Sequence, residues 1–69
     1  MAAYYVNDTA QASSGDHEVH VSTCSWVPLI NSKTYLGDYT SCSGAVAKAK
    51  TIYSSSDGCA YCSPDCHKG

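Results

Sequence analysis

The apolar positions of this chain come in short runs separated by Ser, Gly, Asn and Asp, and each run is brief enough to be read on its own period. Tyr4-Tyr5-Val6 is β-prone and is closed by Asn7-Asp8. Residues 9–16 are rich in Ser, Ala and Gly, show no period and end on the turn Ser13-Ser14-Gly15-Asp16. The segment His17-Glu18-Val19-His20-Val21-Ser22 then alternates. His17, Val19 and Val21 share one face of a strand, while Glu18, His20 and Ser22 share the other. The pattern predicts a strand here, paired with residues 3–7 as a loose hairpin.

Residues 24–32 read as a loop carrying Trp26 and Pro28, and Thr34-Tyr35-Leu36 as another short strand closed by Gly37-Asp38. A helix follows near 42–54. Ser41 or Ser43 can cap it, and Ala and Lys favour its body. Cys42, Ala45, Val46, Ala49 and Tyr53 form one apolar stripe at helical spacing, with Lys48 and Lys50 away from its centre. Ser54-Ser55-Ser56-Asp57-Gly58 stops the helix, and the tail from Cys59 has neither period. The fold class expected is therefore small α+β: two or three short antiparallel strands and one helix, in a single domain spanning 1–69.

Composition changes this picture by showing how little interior the elements can build. Leu, Ile, Val and Phe total nine of 69 residues, below the level at which a chain makes an ordinary core. A chain of this length buries only about 60% of its unfolded surface, so disulfides, a metal or a partner must supplement the core. Large catalytic clefts and nucleotide-binding βαβ domains are excluded by length, and no apolar run spans a bilayer. The chain has four Lys, no Arg and a formal net charge of −2. That balance disfavours nucleic acid and anionic membranes, whose binders need clustered cations. A protein partner fits it better, with the chain itself a monomer.

The first residues have no basic region followed by an apolar one, so a cytoplasmic location is expected. In a reducing compartment five Cys read better as metal ligands than as disulfides, and the odd count also leaves a disulfide framework incomplete. Two pairs stand out: His20-x3-Cys24 at the end of a predicted strand, and Cys59-x2-Cys62 just after Gly58. A two-residue gap lets one turn aim both thiolates at a single ion, and one His with three Cys makes a closed tetrahedral zinc site. The expected ligands are thus His20, Cys24, Cys59 and Cys62, holding one zinc ion. Cys66 or His67 could replace His20. Cys42 is expected as a buried, inert thiol on the helix stripe, or as the partner of Cys66 in a disulfide if the compartment is oxidising.

Blander readings hold for other residues. His17 is out of phase with His20 and reads as an ordinary strand histidine. His17 and His20 lie three apart in a β-patterned run, whereas the zinc-protease signature needs them four apart on a helix. A redox Cys-x2-Cys normally opens a helix, and this one follows a helix. Tyr4, Tyr5, Trp26, Tyr35, Tyr39, Tyr53 and Tyr61 are expected in core or half-buried packing. No catalytic residue is assigned.

The order of elements over residues 20–62, with the helix start at 41–49, resembles the N-terminal metal-binding domain of Ada-type DNA alkylation repair proteins. The likeness covers less than two-thirds of the chain. It implies the metal and the fold, and an alkylation-response role on DNA as one alternative function. In that family a zinc-bound cysteine of the first pair accepts a methyl group from a DNA phosphate. Here the first of that pair is His20, and imidazole cannot play the thiolate's part, which leaves Cys24 as the acceptor to test. Tyr5-Val6-Asn7-Asp8, Gly15-Asp16-His17-Glu18-Val19-His20 and Cys62-x3-Cys66-His67 are similar to segments of small uncharacterised bacterial proteins. The function expected is a zinc-stabilised, non-enzymatic binding or interaction module, with a disulfide-stapled secreted mini-protein as the remaining alternative.

Overall fold

Alternation sets the first strands. In the computed structural model, which describes residues 1–68, β1 runs Ala2–Asn7 and β2 runs His17–Val21. They pair antiparallel with Tyr4 opposite Val21, Tyr5 opposite His20 and Val6 opposite Val19. Paired residues point to the same side of a sheet. Tyr4, Val6, Val19 and Val21 therefore face one way, and Tyr5 and His20 face the other. β3, Lys33–Tyr39, lies on the far side of β1, also antiparallel. It runs longer than the predicted Thr34-Tyr35-Leu36. Its register shifts where β1 passes from Tyr4 to Tyr5, because Tyr4 faces Gly37 while Tyr5 faces Tyr35. Leu36 is the extra residue of this bulge and turns into the core. Gly37 next to it takes φ +118°, a conformation that costs an L side chain dearly.

The helix α1 spans Cys42–Ala49 with Ser41 at the N-cap. The hydroxyl of Ser41 is bonded to that of Ser43 at 2.8 Å and not to a helix N–H. The predicted apolar stripe is the face that packs on the sheet. Ala45 and Ala49 are fully buried against Tyr4, Val6, Val19 and Leu36, with Cys42, Val46 and Tyr53 around them. The small side chains let the helix approach the sheet closely. The helix stops at Ala49 and does not continue to 54. Thr51 turns its hydroxyl back to the Lys48 carbonyl at 2.7 Å, and residues 50–53 finish as overlapping turns.

Two expectations are corrected here. The sheet has four strands, not two or three, and it is mixed: its order is β3-β1-β2-β4. Ser56–Gly58, expected only to end the helix, is the strand β4, parallel to β2. Three residues are too few to show a period, and only docking against the edge of β2 makes them a strand. Gly58 is required for a second reason. A Cβ there would stand 2.7 Å from the Cys66 Cβ and 2.8 Å from the Ser63 carbonyl oxygen, so the tail crosses β4 where no side chain fits. The other concerns Cys42, which is not the free thiol expected first but follows the alternative: it is bonded to Cys66 and joins the start of α1 to the tail.

At the end of the core, Asp8 ties together three segments. Its carboxylate accepts hydrogen bonds from Ser32 (2.7 Å), Thr34 (2.6 Å) and Tyr53 (3.0 Å). The ring of His17 stacks on Tyr53 with centroids 3.8 Å apart and donates from Nδ1 to the Asn7 carbonyl at 2.9 Å. His17 is thus a packing residue, as its phase predicts. The Thr34 hydroxyl first, then that of Ser32, holds the Asp8 carboxyl below its ordinary value against an opposing effect of burial. A lowered carboxyl stabilises the folded state fully above the unfolded value and loses that contribution only as the pH falls through the folded one. Asp8→Asn is therefore expected to cost about 1–2 kcal/mol, since the site is solvent-exposed in part. The loss should be the same at every pH between about 5.5 and 8, read as a fall in Tm. A Tm within about 2 °C of wild type, or a difference that drifts over that pH range, would contradict this role.

Candidate metal centre

On the sheet face away from α1, four side chains converge. His20 comes from β2, Cys24 from the turn that follows it, and Cys59 and Cys62 from the turn after β4. Their ligand atoms all lie within 4.8 Å of one another. Local hydrogen bonds aim them. The Cys24 N–H donates to the Val21 carbonyl at 2.9 Å, and the Val27 N–H donates to the Cys24 carbonyl at 3.0 Å. On the other side the Cys59 N–H donates to the Val19 carbonyl, which extends the β2–β4 pairing by one residue. The Ser63 N–H closes the Cys59-x2-Cys62 turn on the Cys59 carbonyl. β2 and β4 lie side by side, so both turns leave the sheet at the same end.

The site is buried. His20 is 2% exposed and Cys59 1%. Cys24 is buried as well, and Cys62 is half-buried. Burial keeps His20 below its ordinary value, so its ring is neutral and has a nitrogen lone pair to offer. Nδ1 faces the Cys62 sulfur at 3.8 Å. Nε2 faces a Glu18 oxygen at 3.6 Å. This orientation matches that of a ligating histidine whose second nitrogen is turned to a carboxylate, which fixes the ring and raises its basicity. Glu18 shares the outer strand face with His20, so the alternating pattern contained this pairing although the sequence reading assigned Glu18 no role. Burial raises the Glu18 carboxyl above its usual range; nearby His67 opposes that and Asp57 adds to it.

The Cys62 thiol is pushed up to about 12, first by burial, then by hydrogen bonding with the Cys24 thiol, with Cys59 adding to it. The Val21 backbone and the Ser63 hydroxyl act the other way. A thiol that keeps its proton is a poor nucleophile at neutral pH. A cation at the centre reverses the balance, since a coordinated thiol gives up its proton outright.

All four ligand candidates from the sequence are together. The two substitutes are elsewhere. Cys66 is consumed in the disulfide, and His67 Nδ1 lies 3.0 Å from the Gly58 carbonyl and 3.3 Å from Asp57. The expectation for the aromatic residues holds for Tyr4, which is buried in the core, but not for Tyr35 and Tyr61. Those two are exposed, as is much of Trp26: Tyr35 lies on the edge strand β3, while Trp26 and Tyr61 lie on the loops that follow β2 and β4.

Comparison with protein families, with curated proteins and with solved structures found no match to this chain. The class of molecule is therefore defined by its own fold and site: a small α+β protein with a Cys/His cluster that could hold a metal ion. Among the described residues no helix is long and apolar enough to cross a membrane.

Proposed function

We propose that this chain is a zinc-stabilised interaction module with no catalytic activity of its own. The observation that carries the reading is the convergence of His20, Cys24, Cys59 and Cys62 from two distant parts of the chain. Zinc fits the donor set. Three thiolates and one imidazole favour a borderline-soft, tetrahedral ion. A tetrahedron with Zn–S near 2.3 Å and Zn–N near 2.0 Å has S···N edges of about 3.5 Å. The Cys62–His20 separation of 3.8 Å is close to that. Four protein ligands leave no open position for a reacting water, which supports a structural ion over a catalytic one.

Other readings have less behind them. An alkylation-response role on DNA needs an accessible thiolate and a cationic surface. Cys24 and Cys59 are buried, and the chain has no Arg. A purely disulfide-stapled protein would leave one thiol; here one disulfide coexists with three free cysteines. The cytoplasmic setting suits those three but does not by itself account for the Cys42–Cys66 bond, which needs an oxidant to form.

The test is mass spectrometry of the purified chain under native conditions and again after denaturation. One zinc per chain is expected in the first spectrum. In the second, three alkylatable thiols are expected, rising to five after reduction. A chain that purifies without metal and takes up none from added zinc sinks the proposal.

A further inference from the structure

The two turns that carry the cysteines also carry the walls of a cleft. Past Cys24 the chain presents Trp26, Leu29 and Ile30; between and beyond Cys59 and Cys62 it presents Tyr61 and His67. Together with a floor of Glu18 and His20 these residues line a cleft of about 550 Å³. That volume lies within the range of small-ligand sites. The rings of Trp26 and Tyr61 have centroids 5.9 Å apart and are tilted by 39°, so they make one continuous aromatic wall. Trp26 is 45% and Tyr61 77% exposed. Exposing these two rings is costly for a chain with so few large apolar side chains.

The charge of the cleft decides what it can take. None of the four lysines lines it, and the chain has no arginine. Its acidic group is Glu18, whose side chain is part-buried on the floor. The other titratable groups lining it besides His20 are the Tyr61 phenol and His67, and the His67 Nδ1 is turned away to the Gly58 carbonyl and Asp57. A carboxylate beneath an aromatic wall repels anions. It suits an ammonium group, which gains a charge-assisted hydrogen bond from the carboxylate and attraction to the ring faces. Leu29 and Ile30, which line the same cleft, add apolar surface beside the aromatic wall for the alkyl stem that joins such a group to a backbone. At the rim, Asn7, Gln11 and Asn31 offer amide groups that can bond an extended peptide.

We propose that this cleft binds a lysine side chain presented by a basic segment of a partner protein, with the ammonium at Glu18 and the stem along Trp26 and Tyr61. The proposal rests on the interaction-module reading and names its ligand. It also gives the metal a role beyond stability: the ion fixes the spacing of the two loops that form the walls.

The test uses the zinc-loaded full chain and the peptide acetyl-Gly-Gly-Lys-Gly-Gly-amide. Trp26 is the sole tryptophan, so its emission reports the cleft directly. A saturable emission change is expected with the lysine peptide, along with amide shifts confined to residues of the two loops and β2. The same peptide with norleucine for lysine should bind about tenfold more weakly or not at all, because the charge-assisted bond is lost. Tyr61→Ala removes a ring that is 77% exposed and should weaken lysine binding about three- to tenfold without changing zinc content. Glu18→Gln should weaken it about tenfold or more, with zinc content measured alongside. No saturable change up to about 10 mM peptide would overturn the proposal, as would norleucine binding equal to lysine binding. A chain without metal would sink the interaction-module reading, and this proposal with it. A zinc-loaded chain indifferent to lysine sinks this proposal alone.

Discussion

With zinc at the cluster of His20, Cys24, Cys59 and Cys62, as proposed, its removal by a chelator is expected to abolish the cooperative unfolding transition. Structural zinc in small domains contributes on the order of 10–16 kcal/mol of folding free energy at neutral pH. Ordinary domains are stable by only about 5–15 kcal/mol in total. The buried cluster here is Tyr4, Val6, Val19, Leu36, Ala45 and Ala49, half of it made of residues that bury little area or carry a polar end. Such a core leaves no reserve against the loss of the ion. Without a cation, His20, Cys24 and Cys59 would be buried with their polar atoms facing one another, and the turns after β2 and β4 would lose their common anchor. Cys59→Ser is the sharper form of the experiment. Cys59 is at once a ligand candidate and 1% exposed, so a hydroxyl there neither binds zinc well nor packs as well as a thiol. The readouts are the near-ultraviolet dichroism of the aromatic residues and the thermal transition, before and after a chelator. A chelated protein that still melts cooperatively within about 5 °C of the zinc-loaded one would refute the stabilising role.

The double variant Cys42→Ala/Cys66→Ala is expected to lose about 3 kcal/mol, which for a chain of this size is a fall in Tm of about 12–24 °C at saturating zinc. The bond closes a loop with a sequence separation of 24, long enough for a sizeable restriction of the unfolded chain. Both residues are changed together because a lone thiol at either place could compete for the ion. Alanine at 42 also keeps the first turn of α1 in a favoured residue. Zinc content should stay at one per chain, since neither cysteine belongs to the cluster. A Tm change below about 5 °C would show the cross-link to be energetically idle; a loss of zinc would show that it helps to shape the site.

The clustering of His20, Cys24, Cys59 and Cys62 was legible because its signals are local. Cys59-x2-Cys62 and His20-x3-Cys24 each place two donors within one turn, and the phase of the alternating segment separates His20 from His17. The helix stripe was legible for the same reason, as Cys42, Ala45, Val46 and Ala49 recur at the helical period. What failed depends on contacts distant in sequence. β4 is three residues long and becomes a strand only by pairing with β2. The fate of Cys42 was open because a cysteine on an apolar stripe looks the same whether it packs as a thiol or meets another sulfur. Gly58 looked like a helix stop; the crowding that requires it comes from Cys66 and Ser63 folding over it.

By itself, then, the sequence determined that the chain is a small α+β protein with little aliphatic surface, and which four side chains form a cluster that could hold a metal ion. Periodicity and short spacings carry that information because they act within a few residues. Tertiary structure alone decided that the sheet is mixed, that Cys42 meets Cys66, and that the two ligand-bearing turns enclose a cleft between Trp26, Tyr61 and Glu18. Each of these is a meeting of segments separated by tens of residues, and no local period encodes which distant partner a segment will find.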